Sequence, residues 1–400
     1  MSTASESGGR GSATRAVIVD DSRFMRTLIR RLLEEGGIEV VGEADDGSEA
    51  VDAVVEHDPD VVTMDIEMPT MNGIEAVEAI MDEHPTPVLM LSAHAEEDAD
   101  VTFEALDRGA VDFVTKPGGE VTSSMPSVKR ELVEKVESAA RVDLSADTRM
   151  SSASASAGSS ASTASASSAG RAGTATAGGA KSEATASSAP TTGGTDSTAA
   201  APAGRTYPDA GTLVIGASTG GPNVVERVLS GLPRAANLRV LVVQHMPEGF
   251  TSRFSARLDD KSEYEVREAD ESERIGPGEA RVAPGGHHLV VSGDRNGRLR
   301  LELTETEPIH GVRPAVDVAM ASAAENAAHP LCAVLLTGMG RDGVDGMGRT
   351  ADAGGHTIAQ DEATSAIFGM PKRAIETGRV DTVAPAEEIA ESALQYFAED

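Results

Sequence analysis

The sequence predicts two doubly wound parallel-sheet α/β domains joined by a disordered linker. Three observations carry that reading. Strand-length apolar runs alternate with amphipathic helical segments over residues 15–144, the same alternation returns over 206–400, and residues 145–205 are almost only Ser, Ala, Thr and Gly. Such a stretch cannot bury enough apolar area to offset its chain entropy. It is expected to act as a tether with a mean span on the order of 40–45 Å. Residues 1–14 are small and polar, without the apolar stretch of a signal peptide, and read as a disordered arm.

In the first domain the strand-like runs are residues 15–19, 40–43, 60–64, 87–91 and 112–115. Residues 24–35, 48–57, 73–83 and 98–109 between them carry apolar residues at helical spacing, and 127–140 close the series. Five βα units at this spacing give a parallel sheet covered on both faces. The second domain opens with a strand (212–215), a helix (221–232) and a strand (238–243). Its middle, 264–303, is richer in β signals, with turns at Gly276-Pro277-Gly278 and around Gly293–Gly297. A helix (315–328), a strand (332–336), a helix (346–353), a strand (356–359) and two terminal helical stretches complete it. Ligands of such sheets bind outside the carboxyl ends of the strands, so chemistry is expected there.

Composition excludes several partners. Lys+Arg number 34 against 65 Asp+Glu, a formal charge of -31, which repels nucleic acid and anionic membrane surfaces. Only six of the basic residues are Lys, a balance that suits a high-salt interior. No run approaches the roughly 18 apolar residues of a membrane span. The single Cys332 sits in an apolar run; it allows no internal disulfide and fits a core thiol in a reducing cytoplasm.

The ends of the first five strands hold a set of polar residues. The first run ends at Asp20-Asp21, the third at Asp65, the fourth at Ser92 and the fifth at Lys116-Pro117. A lone Asp at a strand end is often a helix cap. Three carboxylates converging on one pocket repel one another unless a hard divalent cation joins them, and Mg²⁺ takes such oxygen ligands. Asp21, Asp65 and the backbone carbonyl of Glu67 are the candidate ligands. Asp65 is then the candidate phosphoryl acceptor, Lys116 a fixed cation for the phosphoryl oxygens and Ser92 a hydroxyl contact. The five residues in this order, with the stretch Asp60–Gly73 (DVVTMDIEMPTMNG), resemble the flavodoxin-like receiver domain of two-component response regulators.

In the second domain Gly216-Ala217-Ser218-Thr219-Gly220-Gly221 follows a strand and opens a helix, as a nucleophile elbow does. A phosphate cradle has similar glycines. The next strand ends at Gln244-His245-Met246-Pro247, which puts an imidazole on the same edge as a base. A capping or core histidine would look alike. Thr337-Gly338-Met339-Gly340-Arg341-Asp342-Gly343 brings Asp342 to that edge to orient the imidazole. The order Ser, His, Asp departs from that of α/β-hydrolases. The Gly338–Gly343 segment also fits a dinucleotide fingerprint with Asp361 downstream, but that reading leaves Ser218 and His245 idle. The five other histidines of this domain (His287, His288, His310, His329 and His356) lack the ligand spacing of a zinc site and read as structural or surface residues.

Together with Ala283-Pro284-Gly285, Arg313–Asp317 and Ile358–Ala363, these segments resemble the protein-glutamate methylesterases of chemotaxis, CheB. The resemblance implies a receiver at 15–144 and a catalytic domain at 206–400. It implies attack by Ser218 on a glutamate methyl ester, release of methanol, and deamidation of glutamine by the same route. Thr219 and Met339 are the expected oxyanion donors. The implied substrates are methyl-accepting chemotaxis receptors, and the implied phosphodonor is the chemotaxis histidine kinase, both met in the cytoplasm. Mg²⁺ is expected for phosphorylation and no cofactor for the esterase. In this family the unphosphorylated receiver covers the cleft. The competing reading is a phospho-regulated scaffold without catalysis.

Overall fold

Apolar runs without alternation belong in strands covered on both faces, and the computed structural model places them there. It describes residues 13–93, 99–117, 125–142, 144, 205–328 and 330–399. Residues 1–12, nearly all of the segment read as a tether, and His329 lie outside the described residues.

The first unit runs β1 (Arg15–Val19), α1 (Arg23–Glu34), β2 (Glu39–Ala44), α2 (Gly47–His57), β3 (Val61–Asp65), α3 (Gly73–Glu83), β4 (Val88–Ser92), α4 (Ala99–Asp107), β5 (Asp112–Thr115) and α5 (Met125–Ala139). Its sheet order is β2-β1-β3-β4-β5, parallel throughout. Side chains of Ser22, Asp46 and Asn72 cap α1, α2 and α3, which is where the sequence supplies a short polar residue before each apolar period.

The second unit contains β6 (Gly211–Ala217), α6 (Gly221–Ser230), β7 (Leu238–Gln244), α7 (Phe250–Lys261), β8 (Glu265–Glu268), β9 (Arg274–Ile275), β10 (Glu279–Val282), β11 (His288–Arg295) and β12 (Arg298–Thr304). It continues with α8 (Val316–Asn326), β13 (Leu331–Leu335), α9 (Val344–Asp352), β14 (His356–Gln360), α10 (Met370–Glu376), β15 (Thr382–Ala384) and α11 (Ile389–Phe397). Seven strands form a parallel sheet ordered β15-β14-β13-β6-β7-β10-β8. The expected β-rich middle divides in two. β8 and β10 extend the parallel sheet, whereas β11, β12 and β9 make a separate antiparallel sheet. β15 is a short edge strand that apolar periodicity does not reveal.

Both sheets have a switch point, where the strand order turns outward in both directions. It falls between β1 and β3 in the first and between β6 and β13 in the second. Crevices open at such points, and both constellations lie there.

The small sheet is fastened to the large one through a buried charge. Arg239 on β7 is wholly buried; its Nη1 donates to Asp294 Oδ2 on β11 at 2.8 Å, and its Nη2 to Thr212 Oγ1 on β6 at 2.6 Å. Burial holds the guanidinium below its ordinary pKa, with Asp294 opposing.

The two units meet along α4 and α7. Four of the seven Phe lie there: Phe103 stacks on Phe254 at 5.8 Å and Phe113 packs on Phe250 at 4.3 Å. Arg257 on α7 reaches both carboxylate oxygens of Asp107 (3.0 and 2.6 Å), lies over the Phe103 ring, and keeps Glu226 of α6 at 2.6 Å. Asn223 Nδ2, in the first turn of α6, donates to Leu106 O at 3.3 Å.

Asp294→Ala leaves Arg239 buried without its counter-charge. It is expected to cost about 3–5 kcal/mol of second-unit stability, read as a lowered denaturant midpoint; a midpoint unchanged from the parent would refute that role.

Candidate active site

β6 and β7 are buried along their whole length and pair in register from Gly211↔Leu238 to Ala217↔Gln244. Ser218 and His245 therefore leave neighbouring strands at the same level, and His245 N donates to Ala217 O at 3.1 Å. Gly220, with φ +73°, makes the tight turn into α6. Ser218 is 8% exposed, so the hydroxyl sits in a recess and not on an open surface.

Three side chains brace that turn. Gln244 Nε2 donates to Ser218 O at 2.8 Å. Thr337 Oγ1 lies 3.0 Å from Thr219 O and accepts from Ile367 N at 2.9 Å, while Thr337 N donates to Gln360 Oε1 at 2.8 Å. The loop after β13 comes very close: a Cβ on Gly338 would stand 2.6 Å from Ser218 Cβ, so only glycine fits. These braces stand at the carboxyl ends of β7, β13 and β14. Sequence reading quoted the segments around them but assigned Gln244, Thr337 and Gln360 no task. A polar residue at the carboxyl end of a mostly apolar strand was the available signal.

His245 Nε2 and Asp342 Oδ2 are 2.9 Å apart. The carboxylate also accepts from Val316 N (2.6 Å), Asp317 N (3.0 Å) and Gly343 N (3.0 Å). The first two are the start of α8, which lacks a side-chain cap of its own. Burial alone would lift the Asp342 carboxyl; the bonds from His245, Asp317 and Val316 hold it below the usual carboxylate range. The second imidazole nitrogen, Nδ1, is left for Ser218. No hydrogen bond joins the Ser218 and His245 side chains here; such contacts are often loose before substrate binds.

Thr219 is buried within the Ser218 turn and Met339 is half-buried in the loop after β13. Among the described residues nothing accepts from either backbone N–H. The start of α6 adds a partial positive charge on the same side.

Asp361, the acid the dinucleotide pattern required, is tied to Thr364 N (3.0 Å) and Oγ1 (2.7 Å). Of the other histidines, His287 faces Glu305 at 3.3 Å and His310 faces Asp317 at 2.9 Å. His356 stands 3.5 Å from Asp381. His288, beside the half-exposed His287, is fully buried.

In the first unit, β1, β3, β4 and β5 deliver Asp20-Asp21, Asp65, Ser92 and Lys116 to one crevice. Lys116 Nζ lies 2.8 Å from Asp20 Oδ2 and 2.7 Å from Asp65 Oδ2. Burial would lower Lys116, but the two carboxylates hold it above its ordinary value. Burial, with the Asp20 charge beside it, lifts the Asp65 carboxyl above its ordinary value although Lys116 opposes the rise. Asp20 and Ser92 are wholly buried; Asp21 and Glu67 are exposed at the rim. Oxygen atoms of Asp20, Asp21 and Asp65 lie within 4.8 Å of one another, a donor set that fits a hard divalent cation.

Residues 213–393 match the family model for CheB methylesterase, and residues 16–122 match that for the response regulator receiver domain. A Haloarcula marismortui protein named protein-glutamate methylesterase/protein-glutamine glutaminase is 55% identical over 385 residues, 95% of this chain and 96% of its own. A Natronomonas pharaonis protein of the same name is 53% identical over 379 residues, again 95% and 96%. The crystal structure of the Thermotoga maritima CheB methylesterase catalytic domain is 42% identical, covers 46% of this chain and 98% of that one, and gives a TM-score of 0.45. The chain belongs to the CheB family of protein-glutamate methylesterases/protein-glutamine glutaminases, with an N-terminal response-regulator receiver domain.

Proposed function

We infer that this chain is a phosphorylation-activated serine esterase that demethylates glutamate methyl esters on chemoreceptors and deamidates receptor glutamines. The observation that carries the reading is the His245–Asp342 bond at the edge where the Ser218 turn emerges. The domain limits we propose are 15–144 for the receiver, 145–205 for the tether and 206–400 for the esterase. Among the described residues no helix is long and apolar enough to cross a membrane; we place the reaction on the cytoplasmic portion of the receptors.

In the first half-reaction the Ser218 Oγ–H proton passes to His245 Nδ1 as Oγ bonds to the ester carbon. Thr219 and Met339 N–H groups hold the oxyanion. Asp342 keeps Nε2–H oriented and stabilises the imidazolium, as in other triads. His245 then gives its proton to the departing methoxide, and methanol leaves. Water attacks the acyl-enzyme with His245 again as base, freeing Ser218 and a glutamate carboxylate. A glutamine follows the same course with ammonia leaving.

In the receiver, Asp65 is the proposed acceptor of the phosphoryl group from a histidine kinase. Asp21, Asp65 and the Glu67 carbonyl, with Asp20 close by, would hold Mg²⁺, which when bound offsets the charge on phosphoryl oxygens. Lys116 and Ser92 stand ready for those oxygens. The raised Asp65 pKa marks a carboxylate whose charge is costly in its pocket. Docking of α4 on α7 and on the first turn of α6 puts the receiver beside the Ser218 turn, which supports occlusion by the unphosphorylated form. Relatives named protein-glutamate methylesterase/protein-glutamine glutaminase over almost the whole chain speak for the esterase and against the scaffold alternative.

Methanol release from methylated receptor, with and without a phosphodonor, is the direct assay. Ser218→Ala is expected to lower it by more than about 10³-fold with Asp65 phosphorylation unchanged; full activity would exclude Ser218. Asp65→Asn is expected to keep basal turnover and lose stimulation; an undiminished response would place the switch elsewhere. Arg257→Ala removes a half-exposed ion pair worth up to about 1 kcal/mol, so basal turnover should rise at most about fivefold. A basal rate equal to the parent's would mean that this contact does not restrain the enzyme.

A further inference from the structure

His288 opens β11 with its ring wholly enclosed. The ring joins two segments. Nδ1 accepts from Ala315 N at 3.1 Å, and Nε2 faces Glu307 O at 3.3 Å. With a backbone N–H on one side and a carbonyl on the other, only the neutral tautomer protonated on Nε2 satisfies both. Ala315 is the N-cap residue of α8. Three consecutive N–H groups thus end on two distant side chains: that of Ala315 on His288, those of Val316 and Asp317 on Asp342.

We propose that His288 is a positioning residue for the esterase: by fixing Ala315 it sets the α8 N-terminus that holds the Asp342 carboxylate against His245. The proposal rests on the reading of Ser218, His245 and Asp342 as the triad.

The surroundings favour the neutral ring. Burial first, then Arg313, push its pKa below the ordinary imidazole value, against the Glu307 carbonyl and Asp342. Of the titratable groups on the adjoining segments, His287 faces Glu305 and His310 faces Asp317. Protonation would turn Nδ1 into a donor facing the donor of Ala315. The arrangement is therefore intact above the ordinary imidazole range, and is lost as pH falls below it through the lowered His288 value.

The test uses the full chain and two substitutions. Asparagine can place its Oδ1 where Nδ1 stood; leucine offers no acceptor. His288→Leu is expected to lower kcat about 10- to 100-fold, the range commanded by groups that orient a site residue, with KM nearly unchanged. His288→Asn should recover most of kcat. The acid limb of the parent kcat profile should be steeper than first order in protons, and His288→Asn should reduce it to first order. Thermal melting and Asp65 phosphorylation report whether each variant folds. Fluorophosphonate labelling separates the two levels: a parent chain that fails to label at Ser218 ends the triad reading, and this proposal with it. If the parent labels, equal rates in parent and His288→Leu overturn only the role of His288. So does equal impairment of the leucine and asparagine variants, or an acid limb unchanged in His288→Asn should leucine not fold.

Discussion

One carboxylate holds the second domain's chemistry together. Asp342 accepts from the opening turn of α8, from its own following residue and from His245. It therefore serves a helix start that has no cap of its own and an imidazole that needs a fixed tautomer. Backbone N–H groups outnumber the other donors, so the negative charge is stabilised before any substrate arrives. The neighbouring Asp317 shows the opposite side of this crowding. Its carboxyl is raised by burial and by Asp342, although Gly346 N and His310 oppose the rise. Two acids at one helix start cannot both be served equally, and the geometry favours the one facing His245.

The same topology solves two unlike problems. In each sheet the polar residues stand where the strand order reverses. The receiver crevice concentrates carboxylates around Lys116; the second crevice gathers backbone N–H groups on the Asp342 carboxylate. The fold supplies only the edge, and side-chain choice decides whether that edge attracts a cation or stabilises an anion. Where the two units touch, the contacts involve α4, α7 and the first turn of α6, whose N-terminus begins three residues after Ser218.

Much of this was legible in the sequence, for reasons that can be named. Buried parallel strands are apolar runs, so most strands and helices of both units were readable within a few residues; the helix α7 and the edge strand β15 were not. Site residues at strand ends were readable because a charged or hydroxyl residue interrupts such a run. Less was visible where a contact is made across the fold. The split of the 264–303 segment into two sheets depends on which strand edge β10 meets, which local pattern does not encode. Gln244, Thr337 and Gln360 act by bracing backbone at a distance. His287 and His288 are identical neighbours in sequence, yet one faces solvent and one is enclosed, because successive residues entering a strand point to opposite sides.

Arg257 touches both halves of the molecule, but unequally. Its partner in the receiver, Asp107, is more than half exposed, whereas Glu226 on its own domain is largely covered. When the receiver leaves, Asp107 returns to water and the guanidinium still has a carboxylate beside it. Separation therefore strands no desolvated charge on either face. The four phenylalanine rings also resist departure, a cohesion that strengthens with the salt-driven exclusion of apolar surface while the ionic latch weakens. A contact made this way has an ionic part and an apolar part that answer to salt in opposite directions.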